Sequence, residues 1–265
     1  MEWSRFDQAE LSGEEYQTIF DSYFRVLDLE SLPAHAEGFD AGCGSGRWAR
    51  GVASRVGTLH CIDASEAALA VARRNLAGFR NCRFHHASLA KIPLSDGSMD
   101  FGFSLGVLHH LPDPAAGLAA CVAKLKLGAP FLVYLYYALD GRPAWYRYLW
   151  RMSNVTRRIV AHLPYRARTV IGDFVAVVVY WPLARAAGWF ERYGWDVSSF
   201  PLASYRQRRL YTMRTDALDR LGTRLERRFT RQQIITMMQA ANLVDIRFSD
   251  EAPYWCAVGR RAPSN

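Results

Sequence analysis

The chain has 265 residues, of which half are hydrophobic and 22% are charged. A chain of this length can bury a substantial core, and its 13% aromatic content argues against intrinsic disorder. Its longest continuous apolar run, residues 174–184, is about half as long as the roughly 20 residues that span a membrane, so we expect no integral membrane protein.

The cysteines and the N-terminal residues indicate a compartment. The cysteines are scattered without any paired spacing, at Cys43, Cys61, Cys82, Cys121 and Cys256. This pattern predicts no metal site and no disulfide framework, and it favours the reducing cytoplasm. The first 16 residues are polar and acidic and have no signal-peptide or transit-peptide character.

The net charge of +8 is concentrated in one part of the chain. Residues 140–231 contain 18 Arg and 7 Asp or Glu, a net of +11, whereas the remainder has 15 basic and 18 acidic residues. The same segment holds 16 of the 35 aromatic residues. It is either a site for an anionic or apolar partner, or a solvated helical surface whose arginines pair with local acids.

Hydrophobic spacing predicts the elements of the first half of the chain. A helix is predicted within residues 1–32, ending before Pro33, because aromatic and aliphatic residues recur there at helical spacing. Strands and helices then alternate. The predicted strands are 37–40, 58–62, 82–86, 100–105 and 130–137, and the predicted helices are 46–55, 66–78 and 114–126. This alternation predicts an α/β fold with a parallel sheet covered on both faces.

The pattern changes after residue 137. Long helical segments follow, with interruptions expected at Pro143, Pro164, Pro182 and Pro201. Thr230 and Gln233 form a capping box for a helix that runs to Ala241. Two strands, 244–249 and 254–259, are too close in sequence for a helical crossover and should be antiparallel. The predicted domains are an N-terminal helical lid (1–35), an α/β core (36–138 and 230–265) and a helical cap rich in arginine and aromatic residues (139–229).

The most informative motif is residues 39–46, FDAGCGSG, in which an acidic residue precedes GxGxG at a strand-to-helix turn. Glycines let the backbone approach a ligand closely, and the helix N-terminus offers free N–H groups to a negative group. Asp63 ends the next strand, 23 residues after Asp40, where a carboxylate can accept hydrogen bonds from ribose hydroxyls. The glycine spacing differs from the dinucleotide GxGxxG, which disfavours NAD.

Residues 36–137 and 230–260 resemble the class I S-adenosylmethionine-dependent methyltransferases. The resemblance is to the broad small-molecule group whose fourth strand is similar to residues 99–114, MDFGFSLGVLHHLPDP. It implies a Rossmann-like methyltransferase fold, with a mostly parallel seven-stranded sheet and an antiparallel last strand. It also implies S-adenosyl-L-methionine as cofactor and S-adenosyl-L-homocysteine as product.

The resemblance assigns a set of cofactor-binding residues. In the family's pattern, Asp40 orients the glycine turn or reaches the methionine amino group, Asp63 holds the ribose, and Ala64 packs on the adenine. Ser88 and Leu89 stand where the family usually has Asp-Ala, so adenine recognition rests on a serine hydrogen bond or on the Leu89 N–H. The full predicted set is Asp40, Gly42, Gly44, Gly46, Asp63, Ala64, Ser88, Leu89 and Leu105.

Two histidines follow the fourth strand and are the candidate catalytic residues. An imidazole of His109 or His110 could remove a proton from a hydroxyl or acidic carbon acceptor. The alternative is that neither is catalytic, because histidine is frequent at these positions in the family. Tyr16 belongs to a helix that either covers the cofactor or packs in the core, and Cys43 is interpreted as a small packing residue.

The segment before Thr230 is where this fold usually places substrate recognition. Residues 199–214 mix aromatic and cationic side chains, which can stack on a flat acceptor and pair with its carboxylate or phosphate. The residues predicted to face the substrate are Tyr16, Tyr205, Arg206, Tyr211 and Arg214.

The sequence leaves three classes of methyl acceptor open. The first is a small, anionic or aromatic molecule beneath the cap. The second is a lipid or quinone at a membrane surface, contacted through Trp145, Arg147, Tyr148, Trp150, Arg151, Arg157 and Arg158, with residues 174–184 lining an acyl channel. The third is a nucleic acid, which the absence of a recognised RNA-binding module disfavours. The chain could also be a non-catalytic cofactor-binding protein. The sequence leaves open whether the methylated atom is O, N or C and whether the chain forms a homodimer.

Overall fold

The computed structural model describes residues 13–138, 144–197, 200–222, 227–251 and 255–263. The contacts divide the chain into two compact units. Unit 1 comprises the residues up to 138 together with those from 227 onward, and unit 2 comprises residues 139–226. The functions that the sequence assigns to a lid, a core and a cap stay predictions.

Unit 1 is built on a seven-stranded sheet in the order β3-β2-β1-β4-β5-β7-β6. The strands are β1 (Glu37–Ala41), β2 (Thr58–Asp63), β3 (Cys82–His86), β4 (Phe101–Leu105), β5 (Pro130–Tyr134), β6 (Leu243–Phe248) and β7 (Cys256–Arg261). The first five are parallel, and β7 lies antiparallel between β5 and β6. This confirms the predicted α/β fold with an antiparallel last strand.

Helices flank the sheet in unit 1 and make up most of the described part of unit 2. They are α1 (Gly13–Phe24), α2 (Arg47–Ala53), α3 (Glu66–Asn75), α4 (Pro114–Lys124), α5 (Ala144–Val160), α6 (Tyr165–Val175), α7 (Trp181–Arg192), α8 (Leu210–Gly222) and α9 (Arg231–Ala240). The predicted capping box is present at the start of α9, where Thr230 and Gln233 exchange side-chain-to-backbone hydrogen bonds.

The sheet separates two apolar clusters because alternate residues of a strand point to opposite faces. Leu132 of β5 packs in one cluster with residues of α1, α2 and α3. Its neighbours Phe131 and Val133 pack in the other cluster with residues of α4 and α9. The strands are therefore buried on both sides, as an α/β fold requires.

Reciprocal glycine–phenylalanine pairs join the two central strands, β1 and β4. Gly38 lies opposite Phe101, and Phe39 lies opposite Gly102. A Cβ atom on Gly38 would come within 2.2 Å of the Phe101 ring, and one on Gly102 within 2.5 Å of the Phe39 ring. Each ring thus covers the backbone of the neighbouring strand, which fixes the position of the loops that follow both strands.

Several predicted elements extend beyond the observed ones, among them the helix predicted at 66–78, which ends at Asn75. The N-terminal helix ends at Phe24 rather than before Pro33, and its residues 1–12 lie outside the described range. Leu27 is still buried because a turn, closed by a hydrogen bond from its N–H to the Phe24 carbonyl, continues the apolar spacing. Strand β5 ends at Tyr134 rather than at 137, because its partner β4 ends at the paired Leu105.

Unit 2 corrects the prediction that Pro182 interrupts a helix. Residues 165–192 form one continuous helix in which a π-helical turn, Ala176–Tyr180, joins α6 to α7. The Trp181 N–H bonds to the Ala176 carbonyl, five residues back. This wider turn directly precedes Pro182, which has no N–H to contribute to the helix. The predicted break at Pro143 lies outside the described residues.

The continuous helix is also long enough to bear on whether the chain spans a membrane. Among the described residues, Tyr165–Arg192 is 28 residues long and apolar enough, by length and composition, to cross a membrane. The exclusion based on the run at 174–184 therefore fails, because the helix extends well beyond that run on both sides. Core helices of soluble proteins can be equally long and apolar, so these two properties alone do not show that the helix spans a membrane.

Candidate functional site

The glycine-rich turn between β1 and α2 has the backbone conformation that its sequence requires. Gly42, Gly44 and Gly46 have φ values of 90°, 54° and 79°, a region that other residues rarely adopt. The N–H groups of Gly42 and Cys43 both donate to the Ile62 carbonyl of β2, which holds the turn against the neighbouring strand. These two hydrogen bonds hold the turn in one backbone conformation.

Asp63 connects this turn to the helix that follows β2. Its Oδ2 accepts a hydrogen bond from the Gly44 N–H at 2.9 Å, and its Oδ1 accepts one from the Ser65 N–H at 2.8 Å. Each carboxylate oxygen can accept a further hydrogen bond, so a diol can still bind to this carboxylate. Ala64, the next residue, is exposed, as a residue that covers a flat ligand should be.

Asp40 is the least satisfied polar group of the turn. It is fully buried, and neither carboxylate oxygen has a hydrogen-bond partner among the described residues. Burial, reinforced by the nearby charge of Asp63, raises the pKa of Asp40 well above its usual value. A buried carboxyl without partners is costly, and a cationic ligand close by would offset that cost.

The remaining predicted cofactor residues follow β3 and β4. The Ala87 N–H donates to the Asp63 carbonyl, which places the start of the loop with Ser88 and Leu89 beside the end of β2. Ser88 is exposed and Leu89 is buried. Leu105 ends β4 and is also buried. In the sheet β3 and β4 flank β2 and β1, so these positions and the glycine turn lie at the carboxyl ends of four consecutive parallel strands, where open α/β sheets bind their ligands.

His109 lies in a short 3₁₀ turn after β4 and is completely buried. Its ring stacks on the Tyr136 ring at a centroid distance of 3.8 Å, and the His110 ring lies 4.1 Å away. Neither ring nitrogen has a hydrogen-bond partner among the described residues. Burial, then the charges of His110 and Arg228, lower the pKa of His109 to about 2. This imidazole is neutral at ordinary pH and is a weak proton acceptor.

Sequence reasoning missed the surroundings of these histidines. Besides stacking on His109, Tyr136 lies beneath the Arg228 guanidinium, at 5.3 Å from the ring centroid. The Arg227 N–H donates to the His109 carbonyl at 3.1 Å, so the chain that returns from unit 2 contacts the histidine turn. The two-residue spacing of Tyr134 and Tyr136 at the end of β5 was the signal that could have identified Tyr136.

Tyr16 is part of the packing of α1. Its hydroxyl donates to the Arg47 carbonyl at 2.9 Å, and burial raises its pKa to about 12. Phe20 and Phe24, on the same helix, are buried in the cluster that includes Phe103 of β4. These contacts give α1 a place in the core, and its role as a lid stays a prediction.

The other residues predicted to face the substrate lie in unit 2, where Tyr205, Arg206 and Arg214 contact acidic side chains. The Tyr205 hydroxyl donates to Asp216 at 2.9 Å. Arg206 forms an ion pair with Glu191. Arg214 pairs with Asp173 through two hydrogen bonds. Tyr211 is half-buried on α8. These contacts are structural, and contact with a substrate stays a prediction.

The cysteines are free and buried. Within the described ranges, no group of three or more His, Cys, Asp or Glu residues is arranged to hold a metal ion.

The segment that contains the glycine turn is similar in sequence to known methyltransferases. A family model described as "Methyltransferase domain" matches residues 39–128. The ubiquinone biosynthesis O-methyltransferase of Aromatoleum aromaticum is 35% identical over 91 residues, 34% of this chain and 39% of that protein. Its counterpart in Marinobacter nauticus is 33% identical over 113 residues, 40% of this chain and 47% of that protein. The chain thus spans less than half the length of these relatives.

One solved structure extends the likeness over nearly the whole chain. Human N-acetylserotonin methyltransferase, in complex with S-adenosylmethionine, aligns with a TM-score of 0.57 and 17% identity. The alignment covers 99% of this chain and 57% of the human chain. At this identity the comparison shows a shared fold.

Proposed function

We propose that the chain is a class I S-adenosylmethionine-dependent methyltransferase that methylates an oxygen atom of a small molecule. The observation that carries the proposal is the arrangement of Asp40, the glycine turn and Asp63 at the ends of β1 and β2. The choice of oxygen rests on the relatives, which are named as O-methyltransferases.

The residues present fit S-adenosylmethionine, which is the cofactor of this family. Gly42, Gly44 and Gly46 have no side chains, which lets the methionine moiety approach the backbone, and the Asp63 carboxylate can accept from the ribose hydroxyls. The orphaned Asp40 carboxylate suits a ligand that carries an ammonium and a sulfonium charge. Ala64 and Leu89 offer apolar contacts to the purine. When bound, the cofactor supplies an electrophilic methyl group.

The protein's own contribution is to position the acceptor and to take up its proton. A nucleophile held about 3 Å from the carbon that it attacks gains most of its rate from that placement. We assign the proton to the His110 ring, which is half-buried, whereas His109 is enclosed and has its pKa lowered to about 2. His109 then serves as a neutral wall, stacked on Tyr136, that supports His110.

Calorimetry with S-adenosylhomocysteine tests the cofactor site directly. We expect the full chain to bind it, and we expect Asp63→Ala to weaken binding roughly 10- to 100-fold, because hydrogen bonds to a charged group are lost. Asp21→Ala, which removes an exposed carboxylate on α1, is the matched control and should bind normally. Folded protein that produces no binding heat would overturn the proposal.

The assignment of the proton acceptor is tested with protocatechuate as a small, anionic phenol. His110→Ala should reduce kcat by roughly 100-fold or more with unchanged S-adenosylhomocysteine affinity. His109→Leu keeps an apolar group against Tyr136, so it should leave the shape of the pH–rate profile unchanged. A larger loss of kcat in His109→Leu than in His110→Ala would reverse the two roles.

A further inference from the structure

Helix α5 of unit 2 carries a continuous exposed apolar stripe. Its members are Trp145, Tyr148, Met152, Val155 and Ile159, each of which is more than half exposed. Their spacing alternates between three and four residues, so they lie along one face of the helix. Single exposed apolar residues are ordinary, but an aligned row of five is the pattern of a surface that binds something apolar.

The charge on the same helix identifies the kind of partner. Helix α5 contains no acidic residue, and its exposed arginines are Arg147, Arg151 and Arg158. At 100° per residue these three share one face, which borders one flank of the apolar stripe. A helix with an apolar face beside a row of cations is typical of segments that lie in the interface of a bilayer with anionic headgroups.

The continuous helix at 165–192 adds a second exposed apolar face to unit 2. Val170, Phe174, Val178 and Trp181 are exposed at helical spacing, and Trp189 continues the row. Arg185 lies in the same row, but its guanidinium donates to the carbonyls of Arg206 and Arg208. Aromatic residues such as these are enriched where a bilayer meets water.

We propose that unit 2 docks on the surface of an anionic phospholipid bilayer, with α5 lying in the plane of the interface. The inference goes beyond the proposed methyl transfer and does not depend on it. It names a lipid surface rather than a second copy of the chain because an isologous contact would bring two copies of this acid-free, arginine-bearing helix together. Anionic headgroups complement the same arginines.

Internal contacts of the 28-residue helix favour lying on the membrane over crossing it. Its inner face packs Ala176 and Ala184 against Met213 and Ala217 of α8. Asp173 of the same helix is ion-paired with Arg214 of α8. A crossing helix would either lose these contacts or carry α8 and its charges into the hydrocarbon, which is costly. Docking at the interface keeps them.

Flotation of the full chain with vesicles tests the proposal. We expect binding to vesicles of phosphatidylcholine and phosphatidylglycerol, much weaker binding to phosphatidylcholine alone, and loss of binding at high salt. The triple variant Arg147→Gln/Arg151→Gln/Arg158→Gln should weaken binding on the order of 100-fold, at about fivefold per arginine. The matched control, Arg74→Gln/Arg80→Gln/Arg83→Gln, changes three exposed arginines of unit 1 and should bind normally.

The stripe is tested separately with Met152→Gln/Val155→Thr/Ile159→Gln, which should weaken vesicle binding by roughly tenfold or more. The exposed apolar residues Leu127 and Val244 of unit 1 provide the control, as Leu127→Gln/Val244→Thr. Bound protein should be released by alkaline carbonate. Retention in carbonate would mean that the chain spans the bilayer, and would overturn the proposal.

Two further results would also overturn it. One is the absence of vesicle binding by protein that still binds S-adenosylhomocysteine, which would leave the proposed function standing. The other is a dimer in sedimentation analysis that the Met152→Gln/Val155→Thr/Ile159→Gln variant dissociates, because the stripe would then be covered by a second copy. Vesicle binding by protein that fails to bind S-adenosylhomocysteine would instead remove the proposed function and keep the docking surface.

Discussion

The buried carboxyl of Asp40 makes the stability of the protein depend on pH in a direction that can be worked out. Burial, followed by the charge of Asp63, raises the pKa of Asp40 well above its usual 3.8. The folded state therefore holds this proton more tightly than the unfolded state does. The associated stability is fully present below the pKa of the unfolded chain and falls as the pH rises towards the pKa of the folded state.

Asp40→Asn isolates this effect because asparagine has nearly the same shape and does not ionise. One proton corresponds to about 1.4 kcal/mol of unfolding free energy per pH unit. The free energy of the variant minus that of the wild type should therefore grow by about that amount per pH unit above pH 4, until the pH reaches the folded pKa. Urea unfolding of both proteins at several pH values, without cofactor, measures the slope. At neutral pH we also expect the variant to bind S-adenosylmethionine more weakly.

Asp96→Asn is a control in which the stability difference should change with pH in the opposite direction. The hydrogen bond and charge of Lys124 hold the pKa of Asp96 below its usual value, with the two groups 2.6 Å apart. Stability from this exposed pair is present above the unfolded pKa and is lost as the pH falls. The variant should be the less stable protein at neutral pH, with a difference that shrinks in acid. If the Asp40→Asn difference did not change with pH, the account of Asp40 as a carboxyl with a raised pKa would be refuted.

Two further substitutions test whether the glycine turn binds the cofactor and whether Arg214 of unit 2 stabilises the fold or contacts the substrate. Gly42→Ala should lower both the unfolding free energy and the S-adenosylhomocysteine affinity, by at least about 1–2 kcal/mol each, because φ is 90° and a Cβ atom would lie 2.5 Å from the Val107 methyl carbons. Urea unfolding and calorimetry measure the two losses, and an unchanged affinity would separate the turn from the cofactor. Arg214→Met should lower the unfolding free energy by about 1–2 kcal/mol, because it removes the two-bond ion pair with Asp173. Unchanged stability with a raised KM for the acceptor would instead support contact between this arginine and the substrate.

The geometry of the glycine turn and the position of Asp63 could be predicted from the sequence because local rules determine them. A strand that ends in a glycine-rich turn needs residues that tolerate positive φ, and Gly42, Gly44 and Gly46 all adopt it. The position of Asp63 follows from the parallel order of the sheet, which brings the end of β2 beside the end of β1. Neither inference requires knowledge of a distant side chain.

The surroundings of His109 could not be predicted in the same way, because they depend on contacts between residues far apart in sequence. His109 and Tyr136 are 27 positions apart, and only the folded chain shows that their rings stack and that both imidazole nitrogens are enclosed. Arg206 similarly has an acidic partner, Glu191, that its neighbours in the sequence do not suggest. The sequence alone does not distinguish an arginine that is free to bind a substrate from one that is paired within the fold.

Unit 2 shows how a single local feature changes the interpretation of a whole segment. If Pro182 interrupts the helix, the apolar run 174–184 stands as an 11-residue segment that is too short to span a membrane. The π-helical turn at Ala176–Tyr180 lets the helix continue through Pro182, and the outward side chains then form one row from Val170 to Trp189. What matters for a lipid surface is the length of an exposed face, not the length of an uninterrupted apolar run, because polar residues on the inner face do not meet the lipid. By that criterion α5, whose exposed arginines border its apolar stripe, is the element that we propose to lie on the membrane, although its mean hydropathy is the lower of the two helices.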